Sequence, residues 1–381
     1  METKVMFFCL FPRSLLANKS IYMIFKVSLG KKALLAPVLA ISLGLTACGG
    51  SNTNNVSSGE GVAGGESVSL TGAGASFPAP IYQRWFSEYN KENPNIQVSY
   101  QSVGSGAGVE QFIQQTVDFG ASDVAMKDEE IQQVERGVAM LPMTAGSIVL
   151  AYKLPDVSEL RLSREVYTDI LLGNITTWND PAIADLNPDV ELPNSNITVV
   201  HRSDGSGTTG VFTKHLAAIS PEWAEQVGEG KTVEWPVGVG AKGNEGVTAQ
   251  ILQTEGSLGY IEYGYAKQQD ISTATLENKS GNYVAPSSES ASNALGAATL
   301  PENLRAFVSD PEGEDSYPIV TYTWLLAYEN YDDPQKLAAL KDVVNWSLTE
   351  GQNYADELGY IPLPDNVVEK VQAKLDTIQA Q

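Results

Sequence analysis

From Ser67 onward, short apolar runs alternate with segments whose apolar residues recur at helical spacing, and this alternation limits the fold more than any other feature. SVSLTG, IQVSYQSVG, VDFGAS, LPMTAGSIVLAY (Leu141 to Tyr152), NITVVHR and YPIVTYTWLLAY read as strands. IYQRWFSEYNKE after Pro80, GVEQFIQQTV, REVYTDILLGN ending at Gly173, GTTGVFTKHLA, QKLAALKDVVNWSL and VVEKVQAKLDTI read as helices. LGYIEYGYA reads as a strand running into a turn. Strands that alternate with helices bury their apolar faces as α/β units around mostly parallel sheets. Loops are expected at residues 186–196 and at the acidic DPEGED turn, residues 310–315.

The residues before Ser67 follow other rules. Lys31 and Lys32 precede the apolar run ALLAPVLAISLGL, which is followed by TACGG. A basic end, a short apolar core and small residues form an export signal, and the run falls short of the ~20 apolar residues of a membrane span. Leu45-Thr46-Ala47-Cys48 resembles the lipobox of bacterial lipoproteins, which implies removal of residues 1–47 and a lipid on Cys48. The only other cysteine, Cys9, would leave with the leader, so no disulfide is expected. Met23 is the more ordinary start for such a leader. Residues 48–66 are rich in Gly, Ser and Asn, with almost nothing apolar to bury, and read as a tether.

The 381 residues carry 24 Lys plus Arg against 46 Asp plus Glu, a formal charge of −22, which argues against nucleic acid and anionic lipid surfaces as partners. Two histidines, His201 and His215, share no metal-binding spacing, and no acidic calcium loop is present, so no metal is expected. Ser206 lies outside a G-x-S-x-G elbow, and no P-loop occurs, so neither a serine hydrolase nor a nucleotide-binding enzyme is indicated.

Three junctions remain. TGAGASFPAP (Thr71 to Pro80), SVGSGAGVEQF (Ser102 to Phe112) and RSDGSGTTGVF (Arg202 to Phe212) each end a strand and open a helix with Gly and small hydroxyl residues. The first turn of a helix has unpaired N–H groups and a partial positive charge that suit an anion. Each turn alone is usually only an ordinary N-cap. Three in one α/β protein point to a shared oxyanion site at strand carboxyl ends. Net charge does not forbid it, because repulsion beyond ~10 Å is screened, whereas hydrogen bonds inside a desolvated cleft are not.

At these residues the chain resembles the phosphate-binding proteins of bacterial phosphate ABC transporters, the PstS family. The likeness runs from about Ser67 to the C-terminal helix through LTGAGASFPAPIY, DFGASD, LLGNITTWNDPAI, RSDGSGTTGVF, KGNEGV and LGYIEYGYAK. It implies a type II periplasmic-binding-protein fold with two α/β lobes, mostly parallel sheets and the ligand cleft between them. Lobe 1 would comprise residues 67–145 plus 317–381 and lobe 2 residues 146–316. It also implies phosphate ligands: Ser76 and the Phe77 N–H, Ser105, the carboxylate acceptor Asp123, the Arg202 guanidinium, Ser206, Gly207 and Thr208, with Asp204 pairing Arg202. Ser76 stands where the family usually has Thr, and Gly106 and Ala107 depart from its GSSGG pattern. His201 stands where Arg is common and receives no role.

A buried Asp123 would accept the proton that phosphate carries at neutral pH and repel fully deprotonated sulfate. Without the resemblance, Asp123 reads as a helix N-cap before residues 126–135, and Asp204 as a turn residue. The resemblance implies a monomeric, non-enzymatic carrier without cofactor, lipid-anchored on the outer face of the plasma membrane, that delivers inorganic phosphate to permease subunits. A receptor for another oxyanion (sulfate, molybdate or an organophosphate), a phosphatase, and a low-affinity sensor or storage protein are the alternatives.

Overall fold

The computed structural model describes residues 67–296 and 300–381. The expected leader, the tether and Cys48 lie outside the described residues. An eight-stranded sheet organises the chain. Its strands are β1 (Val68–Gly74), β2 (Ile96–Ser102), β3 (Phe119–Ser122), β4 (Val138–Lys153), β5 (Thr198–Arg202), β6 (Val239–Ala241), β7 (Ser257–Glu262) and β8 (Val320–Tyr328), in the spatial order β2-β1-β3-β8-β4-β7-β5-β6. Helices α1 (Ala79–Glu92), α2 (Ser105–Ile113), α3 (Asp128–Ile131), α4 (Arg164–Leu172), α5 (Gly207–Ile219), α6 (Gly243–Gln253), α7 (Pro334–Leu348) and α8 (Asp365–Asp376) are accompanied by further short helices.

The two wings of the sheet are parallel, as the βα alternation requires: β1 pairs with β2 and β3, and β5 pairs with β6 and β7. The centre is antiparallel, because β8 returns from far along the chain to lie between β3 and β4. Strand β4 is shared by both wings. Up to Ser147 it pairs with β8; from Ile148 it pairs with β7. Sixteen residues long and buried at every position between its ends, β4 reads in the sequence as one continuous apolar run because both faces are covered.

Four tryptophans anchor the core, and each indole N–H reaches a backbone carbonyl: Trp85 to Gly351 (2.6 Å), Trp178 to Gly256 (3.0 Å), Trp223 to Gly228 (2.9 Å) and Trp324 to Leu304 (2.8 Å). A buried indole without such a partner would leave a donor unsatisfied.

Several local expectations shift. The helix expected from Gly108 begins at Ser105, so the GSGAG run lies in the first turn of α2 rather than ahead of it. The helix expected over residues 126–135 is a single turn, α3, with Lys127 at its N-cap; the Lys127 N–H donates to Glu130 Oε2 at 2.9 Å. Asp123 is therefore not its cap. The YGYA segment after β7 opens a short helix, Tyr263–Gln268, instead of a turn. His215 is a core residue, its Nε2 2.8 Å from the Tyr167 hydroxyl, and burial pushes its pKa down to about 4. His201 stacks on Trp235 at 5.0 Å between ring centroids.

Candidate functional site

The three strand–helix junctions anticipated from sequence are present as β1→α1, β2→α2 and β5→α5. They meet, and a fourth, β6→α6, joins them. Neither α1 nor α2 has a side-chain N-cap. The first turn of α6 is capped instead by distant residues: Gly243 N–H donates to Asp204 Oδ1 (3.1 Å) and Asn244 N–H to Ser76 Oγ (3.0 Å). Helix α5 uses Ser206, whose Oγ accepts from the Thr209 N–H at 3.0 Å.

Asp123 follows directly on β3 and is 1% exposed. Its Oδ1 accepts from the Thr323 hydroxyl at 2.9 Å, Ser105 Oγ lies 3.5 Å from Oδ2, and the Asp123 N–H donates to Ser105 Oγ at 3.3 Å. Among the described residues, no cation is in salt-bridge contact with this carboxylate. Burial pushes its pKa up to about 7, against the opposing pull of Thr323, the more distant Arg202, Ser105 and Thr208. Gly207 is required on the opposite side. A Cβ built there would lie 2.4 Å from Ser105 Oγ and 2.7 Å from Asp123 Oδ2, so any larger residue would displace the two polar groups.

Arg202 ends β5 and is buried. Asp204 holds it in a bidentate fork, Nε to Oδ1 at 2.8 Å and Nη2 to Oδ2 at 2.7 Å. The remaining terminal nitrogen, Nη1, points to Thr208 Oγ1 at 3.4 Å. Burial works against both charges, but the pair prevails: the Arg202 pKa is raised and that of Asp204 is lowered. The two glycine loops touch here. Gly106 N–H donates to the Gly205 carbonyl at 2.8 Å, and Gly104, at φ 92°, approaches so closely that a Cβ would lie 2.3 Å from Asp204 Oδ2.

Ser76, Ser105, Asp123, Arg202, Gly207 and Thr208 are thus drawn into one buried polar cluster, with Asp204 behind Arg202. Phe77 is also buried, and its carbonyl accepts from the Tyr360 hydroxyl at 2.6 Å. Ser206 reaches the cluster as the cap of α5. Sequence reading did not pick out Asn244, Thr323 or Tyr260 as members. Asn244 lies in the KGNEGV block and bridges Ser76 and Thr208; Tyr260 accepts from the Arg202 N–H at 3.1 Å and lies 2.6 Å from Thr209 Oγ1. The missed signal was Gly243, at φ 71° ahead of a helical segment, which marks a fourth junction of the same kind. Among the described residues, no group of His, Cys, Asp and Glu could hold a metal ion.

Asp123 also lines one end of a cavity of about 340 Å³ that extends past Thr321 and Trp324 to Lys214 and Phe307. The Lys231–Glu130 ion pair, 2.9 Å, forms part of its wall.

A family model described as the PBP superfamily domain matches residues 61–350. The chain is 44% identical over 318 residues to a phosphate-binding protein PstS from Pasteurella multocida, covering 82% of this chain and 91% of the relative. It is 38% identical over 361 residues to a PstS from Methanocaldococcus jannaschii, covering 88% and 90%. Among solved structures, a phosphate-binding protein from Stenotrophomonas maltophilia superposes with a TM-score of 0.63 at 19% identity, covering 81% of this chain and 94% of that one, a likeness of fold. With identity sustained over most of both chains, and the same βα junctions assembled around one buried polar cluster, the chain belongs to the PstS family of phosphate-binding proteins within the PBP superfamily.

Proposed function

We propose that this protein captures inorganic phosphate outside the plasma membrane and passes it to an ABC-type permease, without catalysing a reaction. The observation that carries the reading is Asp123: a carboxylate buried beside hydroxyls, helix N-termini and a guanidinium, yet in salt-bridge contact with no cation among the described residues. Such a group is costly to keep unless it accepts a proton. Hydrogen phosphate supplies one, while its other oxygens accept from Ser76, Ser105, Arg202, Ser206 and Thr208 and from the N–H groups of Phe77 and Gly207. Sulfate has no proton to give and meets only repulsion at Asp123.

Asp204 supports binding from behind. It fixes the guanidinium fork and offsets part of its charge, so that a bound dianion is held yet can be released. The switch of β4 from one wing to the other at Ser147–Ile148 supports a division into two lobes, residues 67–145 plus 317–381 and residues 146–316, that close on ligand about the crossing strands. The cavity beyond Asp123 is then a route by which the anion enters. We further read Cys48 as the site of a lipid anchor and the carrier as a monomer.

Titration of the purified protein with phosphate, arsenate and sulfate by calorimetry tests the proposal. Tight binding of phosphate with sulfate at least ~100-fold weaker is expected from a mismatch of a few kcal/mol. Equal affinity for the two anions, or turnover of a chromogenic phosphate ester, would overturn it.

A further inference from the structure

Asn244 lies at the first turn of α6, fully buried, with both protons of its side-chain amide given to protein groups and its oxygen engaged by a backbone N–H. Its Oδ1 accepts from the Glu262 backbone N–H at 2.9 Å. A backbone N–H can only donate, so this contact fixes which end of the amide is oxygen and leaves Nδ2 facing two hydroxyls. The two Nδ2 protons go to Ser76 Oγ (2.9 Å) and Thr208 Oγ1 (3.1 Å). The Asn244 backbone N–H also donates to Ser76 Oγ, at 3.0 Å.

The consequence falls on the hydroxyls. An aliphatic hydroxyl has one proton to give and two lone pairs to offer. Ser76 Oγ receives both of its donors from Asn244, so its lone pairs are used and its own proton must point elsewhere. Thr208 Oγ1 receives Asn244 Nδ2 and Arg202 Nη1, neither of which can accept, so its proton is left for an acceptor on the far side, the Asp123 carboxylate or the anion. A hydroxyl normally rotates to suit whatever approaches it. These two cannot.

We propose that Asn244 is a positioning residue that fixes the Ser76 and Thr208 hydroxyls as obligate donors, Ser76 toward the bound anion and Thr208 toward the Asp123 carboxylate or the anion. Asn244 has no proton left to give an anion, since both amide protons are taken and its oxygen can only accept. Ligand oxygens opposite Ser76 and Thr208 must therefore be unprotonated. This rests on the reading of the site as a phosphate site, and deepens it by naming the residue that sets the direction of two of its hydroxyls.

The test is a double-mutant cycle on the purified protein, with phosphate affinity measured by calorimetry. Asn244→Ala is expected to weaken phosphate about 10-fold, since the hydroxyls become free to turn their protons away, and Ser76→Ala by a similar factor. Because Asn244 acts partly through Ser76, the double variant should fall short of the product of the two losses by about threefold or more. Losses that multiply in full would overturn the proposal. Should Asn244→Ala fail to fold, Asn244→Asp carries the test, because it keeps the acceptor for the Glu262 N–H. It replaces Nδ2 with an oxygen that draws both hydroxyl protons away from the ligand. Phosphate should then weaken about 100-fold, and adding Ser76→Ala should cost nothing further; a full additional Ser76→Ala loss in that background would overturn the proposal. Wild-type protein that bound no phosphate would instead remove the functional reading itself, a result distinct from a multiplicative cycle.

Discussion

The ends of β3 and β5 bring a carboxylate each to the same buried cluster, and their surroundings give the two acids opposite characters. Asp204 faces a guanidinium in a two-bond fork and takes a further bond from the Gly243 N–H, so its carboxyl stays ionised well into acid. Asp123 takes its side-chain hydrogen bonds from hydroxyls, with Arg202 farther off, and burial raises its pKa to about 7. The difference lies in what each neighbour supplies. Asp204 has a permanent counter-charge that would cost several kcal/mol to leave alone. Asp123 has no such counter-charge in contact, and on the proposed reading of the site it is where an incoming ligand offers a proton. On that reading identical side chains serve as counterion and as proton acceptor, and the difference is the guanidinium fork that only Asp204 holds.

Removing that guanidinium is the strongest way to break the contrast. Arg202→Ala takes away the main positive charge of the cluster and leaves Asp204 half-buried and unpaired. Phosphate affinity should fall by about 2 kcal/mol or more, some 30-fold at least, as expected for truncating one member of a buried charged pair. Calorimetry at constant salt measures it. A loss within experimental error would place Arg202 outside the binding surface.

Changing the other acid sharpens the contrast. Asp123→Asn keeps the shape and the Thr323 contact but offers an N–H as well as an oxygen. The selectivity for phosphate over sulfate should then shrink by roughly 10- to 100-fold, with sulfate gaining and phosphate losing. Competition titration of the two anions reads the ratio directly. Unchanged selectivity would take the discriminating role from Asp123 and return the two acids to equal standing.

How far these features could be read from sequence follows the same physics. The α/β class was legible because fully buried strands such as β4 show as unbroken apolar runs, and because Gly and small hydroxyls punctuate the βα junctions. The antiparallel centre was not, since the β8–β4 pairing joins residues as far apart as Tyr328 and Val138, beyond any local pattern. Arg202 and Thr208 were reachable because they sit in a junction with a glycine signature and in a block that resembles the family; Asp123 was reachable only through the DFGASD block, since its neighbours alone read it as an N-cap. Asn244 was not assigned, although KGNEGV belongs to that resemblance. The three-residue strand before it is largely exposed and carries no apolar run, so the fourth junction looks like loop. Helix α3 was overread because its acidic, polar sequence is compatible with a helix but buries nothing, and it stops after one turn.

The smallest effect expected is one on stability, and its sign separates the two acids without any ligand. In the unfolded chain both carboxyls titrate near ~3.9. Folded Asp123 holds its proton up to about 7, so between those values the folded protein binds a proton that the unfolded chain does not. The contribution of Asp123 to stability is therefore fully present below ~4 and is lost as pH rises through about 7. Asp204 behaves in reverse: its carboxyl is held low, so its contribution is present at neutral pH and lost as the solution becomes acidic. Asp123→Asn cannot ionise, so ligand-free variant and wild type should melt close together at pH 4.5, and at pH 8.5 the variant should melt higher by roughly 3 °C or more, the scale of ~1 kcal/mol in a domain of this size. Thermal unfolding after exhaustive removal of phosphate measures the gap at each pH. A gap that stayed constant from pH 4.5 to 8.5 would mean that Asp123 is ionised throughout, as Asp204 is, and the distinction drawn between the two carboxylates would be lost.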